Sequence, residues 1–189
     1  MGLKLKTAAS TDAVSTTEVK AQCRIVGTDE DTLLTRLIKA ATDRVEKDTA
    51  RQLVSATYEL TLSDFPSNRV IELPVNPVSS ITSIIYLDTD NASQTLSSNV
   101  YYLDTYIEPS RIILKYNQEF PETLGTDNNV VITFVAGFTS VPDTLKSAIL
   151  LLVGNLYENR EATISGTIIA DVPLAYEYLI SAYDLSQKI

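Results

Sequence analysis

The sequence predicts an α+β protein in which the N- and C-terminal helices pack as a small helical bundle and an antiparallel β-subdomain is inserted between them. Three observations carry that prediction. Leu33, Leu34, Leu37, Ile38, Ala41 and Val45 recur at helical spacing and mark one apolar face. The period then falls to two, with Val54, Ala56, Tyr58, Leu60 and Leu62 alternating against Ser55, Thr57, Glu59 and Thr61, as in a half-buried strand. After Gly137 the helical period returns in Leu145, Ala148, Ile149, Leu152, Val153, Leu156 and Tyr157. The simplest arrangement packs the outer helices together and lets the sheet project from them. The expected boundaries are an extended N-terminal arm over 1–13, a helical domain built from 14–51 and 141–189, and the β-subdomain over 52–140.

The arm is small, polar and without pattern. Ser15 and Glu18 then stand at capping-box spacing, with Val14 and Val19 at the staple positions on either side. Gly27 suits the residue after a helix end, so the first helix is expected over 16–26. Thr28 can cap a second helix whose first turn carries Asp29, Glu30 and Asp31, where the helix dipole favours negative charge; it is expected to run to about Arg51. Besides 54–62, strands are expected at 69–73, 81–87, 100–107, 111–116 and 130–136. Glu108-Pro109-Ser110 reads as the turn of a hairpin, and Pro66, Pro74, Pro77 and Pro121 exclude central strands at their own positions. Such short strands suggest one antiparallel sheet, curled or folded into a small sandwich. Pro142 fits the first position of the next helix, and a last short helix is expected from Pro173 to about Leu185 after an interruption at 161–172.

At 189 residues the chain is long enough to bury roughly 70% of the surface its unfolded form exposes, so it needs no disulfide or metal to fold. The single cysteine, Cys23, excludes an intramolecular disulfide and reads as a small hydrophobe on a helix. No apolar run approaches a membrane span and the first residues lack a secretory h-region, so the expectation is a chain made in the cytoplasm, with no membrane partner. Net charge is −9, concentrated beyond residue 51, where six Lys and Arg stand against sixteen Asp and Glu. An acidic surface repels phosphate backbones and argues against reading nucleic-acid sequence. Tyr101, Tyr102 and Tyr106 could stack bases, but in so acidic a segment they are expected to pack within the sheet.

Residues that could carry catalysis are scarce. The absence of histidine removes histidine-dependent nucleophilic systems and nearly all catalytic zinc sites together. No glycine-rich phosphate cradle occurs among the six glycines. Asp29-Glu30-Asp31 is explained as a helix start. Asp88-Thr89-Asp90 resembles the opening of a calcium loop, but Ala92, Ser93 and Asn99 occupy positions where ligands and the turn glycine should be, leaving a solvated hairpin tip. No cofactor, metal or catalytic residue is expected. A small carboxylate-dependent enzyme and a single-strand nucleic-acid binder remain as weaker alternatives.

Several segments carry a resemblance in their order and spacing. Glu72-Leu73-Pro74-Val75-Asn76-Pro77-Val78 precedes Ile81-Thr82-Ser83-Ile84, and Ala136-Gly137-Phe138 leads into Val141-Pro142-Asp143-Thr144-Leu145-Lys146. Leu156-Tyr157-Glu158-Asn159-Arg160-Glu161 follows, and Thr17-Glu18-Val19-Lys20 and Gly27-Thr28-Asp29-Glu30-Asp31 stand at the start. Together, over about 14–185, they resemble the head-to-tail connector (adaptor) proteins of long-tailed double-stranded-DNA phages and gene transfer agents. The resemblance implies a structural protein of the virion neck. It would form a ring, expected to be dodecameric, beneath the portal and join it to the stopper or tail-completion proteins. DNA would pass through the ring without sequence-specific binding. Another neck component, such as a stopper or tail-completion protein, is the alternative within the same class.

Two surfaces follow as expectations. In the last helix, Leu174, Tyr178, Ala182 and Leu185 share one apolar face and Tyr176, Ile180 and Tyr183 the other. The first is expected to pack on 145–157. Tyr176, Ile180 and Tyr183, with Leu185 at the helix end, are expected to meet the portal or a neighbouring subunit. If the chain lines a channel, Glu108, Glu119, Glu122 and Asp127, all in or beside loops, are the acidic residues expected to face its lumen and repel DNA. The long loop 117–129 is expected to be mobile until a neighbour orders it.

Overall fold

The computed structural model describes residues 1–159 and 174–185, and the chain forms two compact units. One joins Met1–Ser10 to Val54–Thr139, and the other joins Thr11–Leu53 to Ser140–Ile189. The interruption expected at 161–172 lies outside the described residues.

In the helical unit, α1 (Thr16–Cys23) begins on a complete capping box. The Ser15 hydroxyl accepts from the Glu18 N–H at 3.2 Å, and the Glu18 carboxylate accepts from the Ser15 N–H at 2.7 Å. Val14 and Val19 are both buried, which closes the hydrophobic staple. The helix stops three residues before the expected end, because Arg24 takes the left-handed conformation (φ 56°) and its N–H turns back to the Lys20 carbonyl. The second helix, α2 (Asp31–Thr49), starts later than expected. Thr28 does not cap it with its hydroxyl; its carbonyl accepts from the Asp31 N–H at 3.2 Å in the preceding turn. Leu34, Ile38, Ala41, Val45 and Thr49 make one buried stripe along α2. Against it lie Leu145, Ala148, Ile149 and Val153 of α3 (Asp143–Glu158). Pro142 stands one position outside α3 with ψ at 139°, not in its first turn. The last helix, α4 (Leu174–Ser181), ends four residues before the expected Leu185.

The β unit holds eight strands in two antiparallel sheets. The larger contains β1 (Gly2–Thr7), β2 (Ala56–Leu62), β4 (Val78–Leu87), β5 (Ser93–Thr95) and β8 (Val130–Ala136), in the order β1-β2-β8-β4-β5. The smaller contains β3 (Val70–Glu72), β6 (Tyr101–Asp104) and β7 (Arg111–Leu114), in the order β3-β7-β6. Leu60, Ile84, Ile132 and Phe134 from the larger sheet and Ile71, Ile112 and Leu114 from the smaller share one apolar core. β8 lies between β2 and β4, and of its apolar run VVITFVA all but Val131 and Val135 are buried. Its Phe134 stacks on Tyr58, the residue opposite it on β2, with ring centroids 5.8 Å apart.

Two strands were not expected. The N-terminal arm is a strand, β1, paired with β2 from Gly2↔Thr61 to Thr7↔Thr57. Leu3 and Leu5 lie opposite Leu60 and Tyr58 while Lys4 and Lys6 alternate with them, a period of two in a segment too short to stand out. β5 is a three-residue edge strand. The hairpin at Glu108-Pro109-Ser110 joins β6 to β7, and both Glu108-Pro109 and Asn76-Pro77 are cis. The buried Asn76 amide ties the two turns, donating to the Leu73 carbonyl at 3.0 Å and accepting from the Ser110 N–H at 2.8 Å.

Candidate interaction surfaces

The carboxylate clusters are occupied by structural work. The Asp88 carboxylate accepts from the N–H groups of Asp90 and Ala92 and from the Gln94 side chain at 2.8–3.0 Å. These donors, Gln94 first, hold it below the usual carboxylate range. Glu30 accepts from the Tyr157 hydroxyl, and Asp31 pairs with Lys20 at 2.5 Å. Among the described residues no group of three His, Cys, Asp or Glu converges as a metal site would require. Cys23 ends α1 half-buried, and burial pushes its thiol up, away from the reactive thiolate.

Terminal-helix residues are arranged the opposite way from the expectation. Tyr176 is buried, 2% exposed, and its hydroxyl donates to Asp48 Oδ2 of α2 at 2.8 Å. Asp48 Oδ2 also accepts from Arg44 Nε at 2.7 Å, so one carboxylate gathers both donors. Burial and that hydrogen bond push the Tyr176 phenol well above its ordinary pKa. Leu185 is buried too, and its N–H donates to the Thr49 carbonyl at 3.1 Å. Ile180 and Tyr183 are half-buried, and the Tyr183 carbonyl accepts from Arg51 Nε at 2.6 Å. The face expected to pack inward is the one on the surface: Leu174 is 86% and Tyr178 81% exposed, and Ala182 follows them one turn on. The hydroxyl decides the orientation, since Tyr176 reaches Asp48 and buries its ring on the way.

Of the four acidic residues expected to face a lumen, Glu119, Glu122 and Asp127 are exposed and Glu108 is half-buried at its hairpin. Glu119 and Glu122 sit on the loop between β7 and β8, at the rim of a cleft of about 510 Å³ whose walls include Phe65, Pro66, Phe120 and Pro121. That loop has no helix or strand, as the sequence indicates, yet it is fastened to the unit. Phe120 stacks on Phe65 with centroids 4.5 Å apart, Thr123 donates to Asp64 at 2.8 Å, and the Leu124 N–H donates to the Leu87 carbonyl at 3.2 Å.

The tyrosines of the smaller sheet divide. Tyr101 packs in the core, Tyr102 is half-exposed, and Tyr106 is wholly exposed because β6 ends at Asp104, before it. Sequence reasoning placed all three within the sheet. The nearness of Tyr106 to the Glu108-Pro109 turn is the signal that separates it.

Comparisons with known proteins agree on one kind of relative. Residues 14–123 match the family model described as "Phage gp6-like head-tail connector protein". Curated protein sequences give no match. A chain in the structure described as "Neck of empty GTA particle computed with C6 symmetry" superposes with a TM-score of 0.79 at 24% identity, covering 97% of this chain and 95% of that one. A chain of the "Virion of native gene transfer agent (GTA) particle" gives 0.78 at 25% identity, with coverages of 97% and 95%. For the "Neck of native GTA particle computed with C12 symmetry" the values are 0.76 and 24%, with coverages of 97% and 94%.

Proposed function

The chain belongs to the phage gp6-like head-tail connector family, and from that premise we propose that it forms a twelve-membered ring in the virion neck, joining the portal to the stopper or tail-completion proteins. Family membership makes it a structural connector and not an enzyme. The observation that carries the ring is the likeness over 97% of the chain to a chain from a neck with twelvefold symmetry. The work is geometric: such a ring extends the DNA channel and presents one docking face upward and another downward.

Docking onto the portal falls to the terminal helix, through the face that carries Leu174 and Tyr178. A helix held to its own subunit by Tyr176 and Leu185 is oriented before it meets a partner, so little freedom is lost on binding. Glu119, Glu122 and Asp127 turn toward the channel and keep the passing DNA from adhering. Electron microscopy of the protein mixed with its portal tests the reading. Twelve copies capping each portal ring are expected, and a protein that stays monomeric beside intact portals overturns it. Replacing Leu174 and Tyr178 by serine is expected to abolish capping while leaving the melting transition of the subunit unchanged.

A further inference from the structure

The larger sheet ends in two open edges that differ in character. At one edge every residue of β1 is exposed; Leu3 and Leu5 are each 47% exposed although Leu60, opposite Leu3, is fully buried. At the other edge all three residues of β5 are exposed. An edge strand leaves alternate N–H and C=O groups without a neighbour, which makes it a template for another strand. β1 carries Lys4 and Lys6 and no acid, while the turn leading into β5 carries Asp88 and Asp90 and no base. Lys6 already pairs with Glu59 of β2 at 2.7 Å.

We propose that these two edges are the contact between neighbouring copies: β1 of one subunit adds alongside β5 of the next, so that their sheets run on as one. The proposal rests on the ring reading above and supplies the subunit contact that a ring requires. A closed ring needs a heterologous contact, two different patches on the same chain. The two ends of one sheet meet that condition by their position. Charge selects the pairing, because β1 against β1 sets lysine beside lysine and β5 against β5 brings the aspartates together. Lysines on an edge strand ordinarily bar casual pairing, and an acidic partner turns the same residues into a selector. A strand laid beside β1 also covers Leu3 and Leu5. With only three residues in β5, each contact is short and holds only as one of several in a closed ring.

Cross-linking within assembled rings tests this. In a Cys23→Ser background, Leu3→Cys and Thr95→Cys place one thiol on each edge. Within one chain the two strands stand four strand spacings apart, roughly 19 Å, beyond the reach of a short bis-maleimide. Every link formed is therefore between copies. The double variant is expected to give a ladder from dimer to full ring, and each single variant only monomer. Wild-type rings with no ladder from the double variant overturn this proposal alone, and so does a dimer from Leu3→Cys by itself. Absence of rings from the wild type overturns the ring reading, and this contact with it. Should the cysteine variants not fold, Lys4→Glu is expected to lower ring yield about fivefold and Asp90→Lys in the same chain to restore it. A yield indifferent to both charge changes overturns the proposal.

Discussion

At Gly137 the backbone leaves β8 with φ at 124°, and a Cβ built there would lie 2.6 Å from the Ser55 N and 2.7 Å from the Val54 carbonyl carbon. Both obstacles are backbone, so neither can swing aside. Gly137→Ala combines conformational strain with a clash and is expected to destabilise the β unit by about 3 kcal/mol or more. Gly27, with φ at 92° and open space around it, is the control: its alanine variant carries the conformational cost alone, about 1–2 kcal/mol. Denaturant midpoints of the two variants measure the difference. Tyr176 gives a second residue-scale outcome. Removing its hydroxyl in Tyr176→Phe takes one donor from Asp48 and is expected to cost about 1–2 kcal/mol. The phenol is held protonated in the folded chain above its ordinary pKa of 10.0. Stability is therefore fully present below that pH and falls as the pH rises above it, where the unfolded chain alone ionises. Melting curves between neutral and strongly alkaline pH should show a shallower alkaline decline in Tyr176→Phe than in the wild type.

Helix α1 has only eight residues, and isolated helices of that length do not persist in water, so its capping box and its seat in the unit must hold it. Ser15→Ala removes the side-chain cap and is expected to cost about 1 kcal/mol. Hydrogen bonds from the Ser15 backbone and then its hydroxyl lower the Glu18 pKa. That contribution is present above the ordinary value of 4.5 and is lost as the pH falls through the lower folded value, so Ser15→Ala should also flatten the acid limb of the stability curve. This box was legible in the sequence, as were the stripe of α2, the alternation of β2 and all seven residues of β8. In each, the local pattern and the tertiary environment ask for the same residues. The ends of α1 and α2 were not legible, because Arg24 and Ala50 adopt left-handed caps that the sequence offers no glycine to announce. In α4 apolar residues lie nearly all round, and no periodicity tells which face turns inward. That choice depends on a hydrogen bond to Asp48, 128 positions earlier.

For the molecule as a whole, the acidic surface has its own test. The triple variant Glu119→Lys, Glu122→Lys and Asp127→Lys changes exposed loop residues and is expected to shift stability by no more than about 0.5 kcal/mol for each. Rings of the variant should retain double-stranded DNA at low salt and release it steeply as salt rises, while wild-type rings retain none. Equal behaviour of the two would mean that these residues do not face the channel.

The place of β8 has a consequence for how the protein is made. The strand at the middle of the larger sheet is the last of that sheet to leave the ribosome, at residues 130–136, whereas the strands on either side of it begin at 56 and 78. Until β8 arrives, β2 and β4 each expose a long apolar edge with nothing to fill the gap between them. The sheet therefore cannot zip up hairpin by hairpin from its N-terminal end, and pairing across such separations is intrinsically slow. A nascent chain halted before residue 130 is a sticky, unclosed intermediate of the kind that chaperones hold. Slow translation of the segment just upstream of β8 should accordingly lower the soluble yield more than slow translation after it.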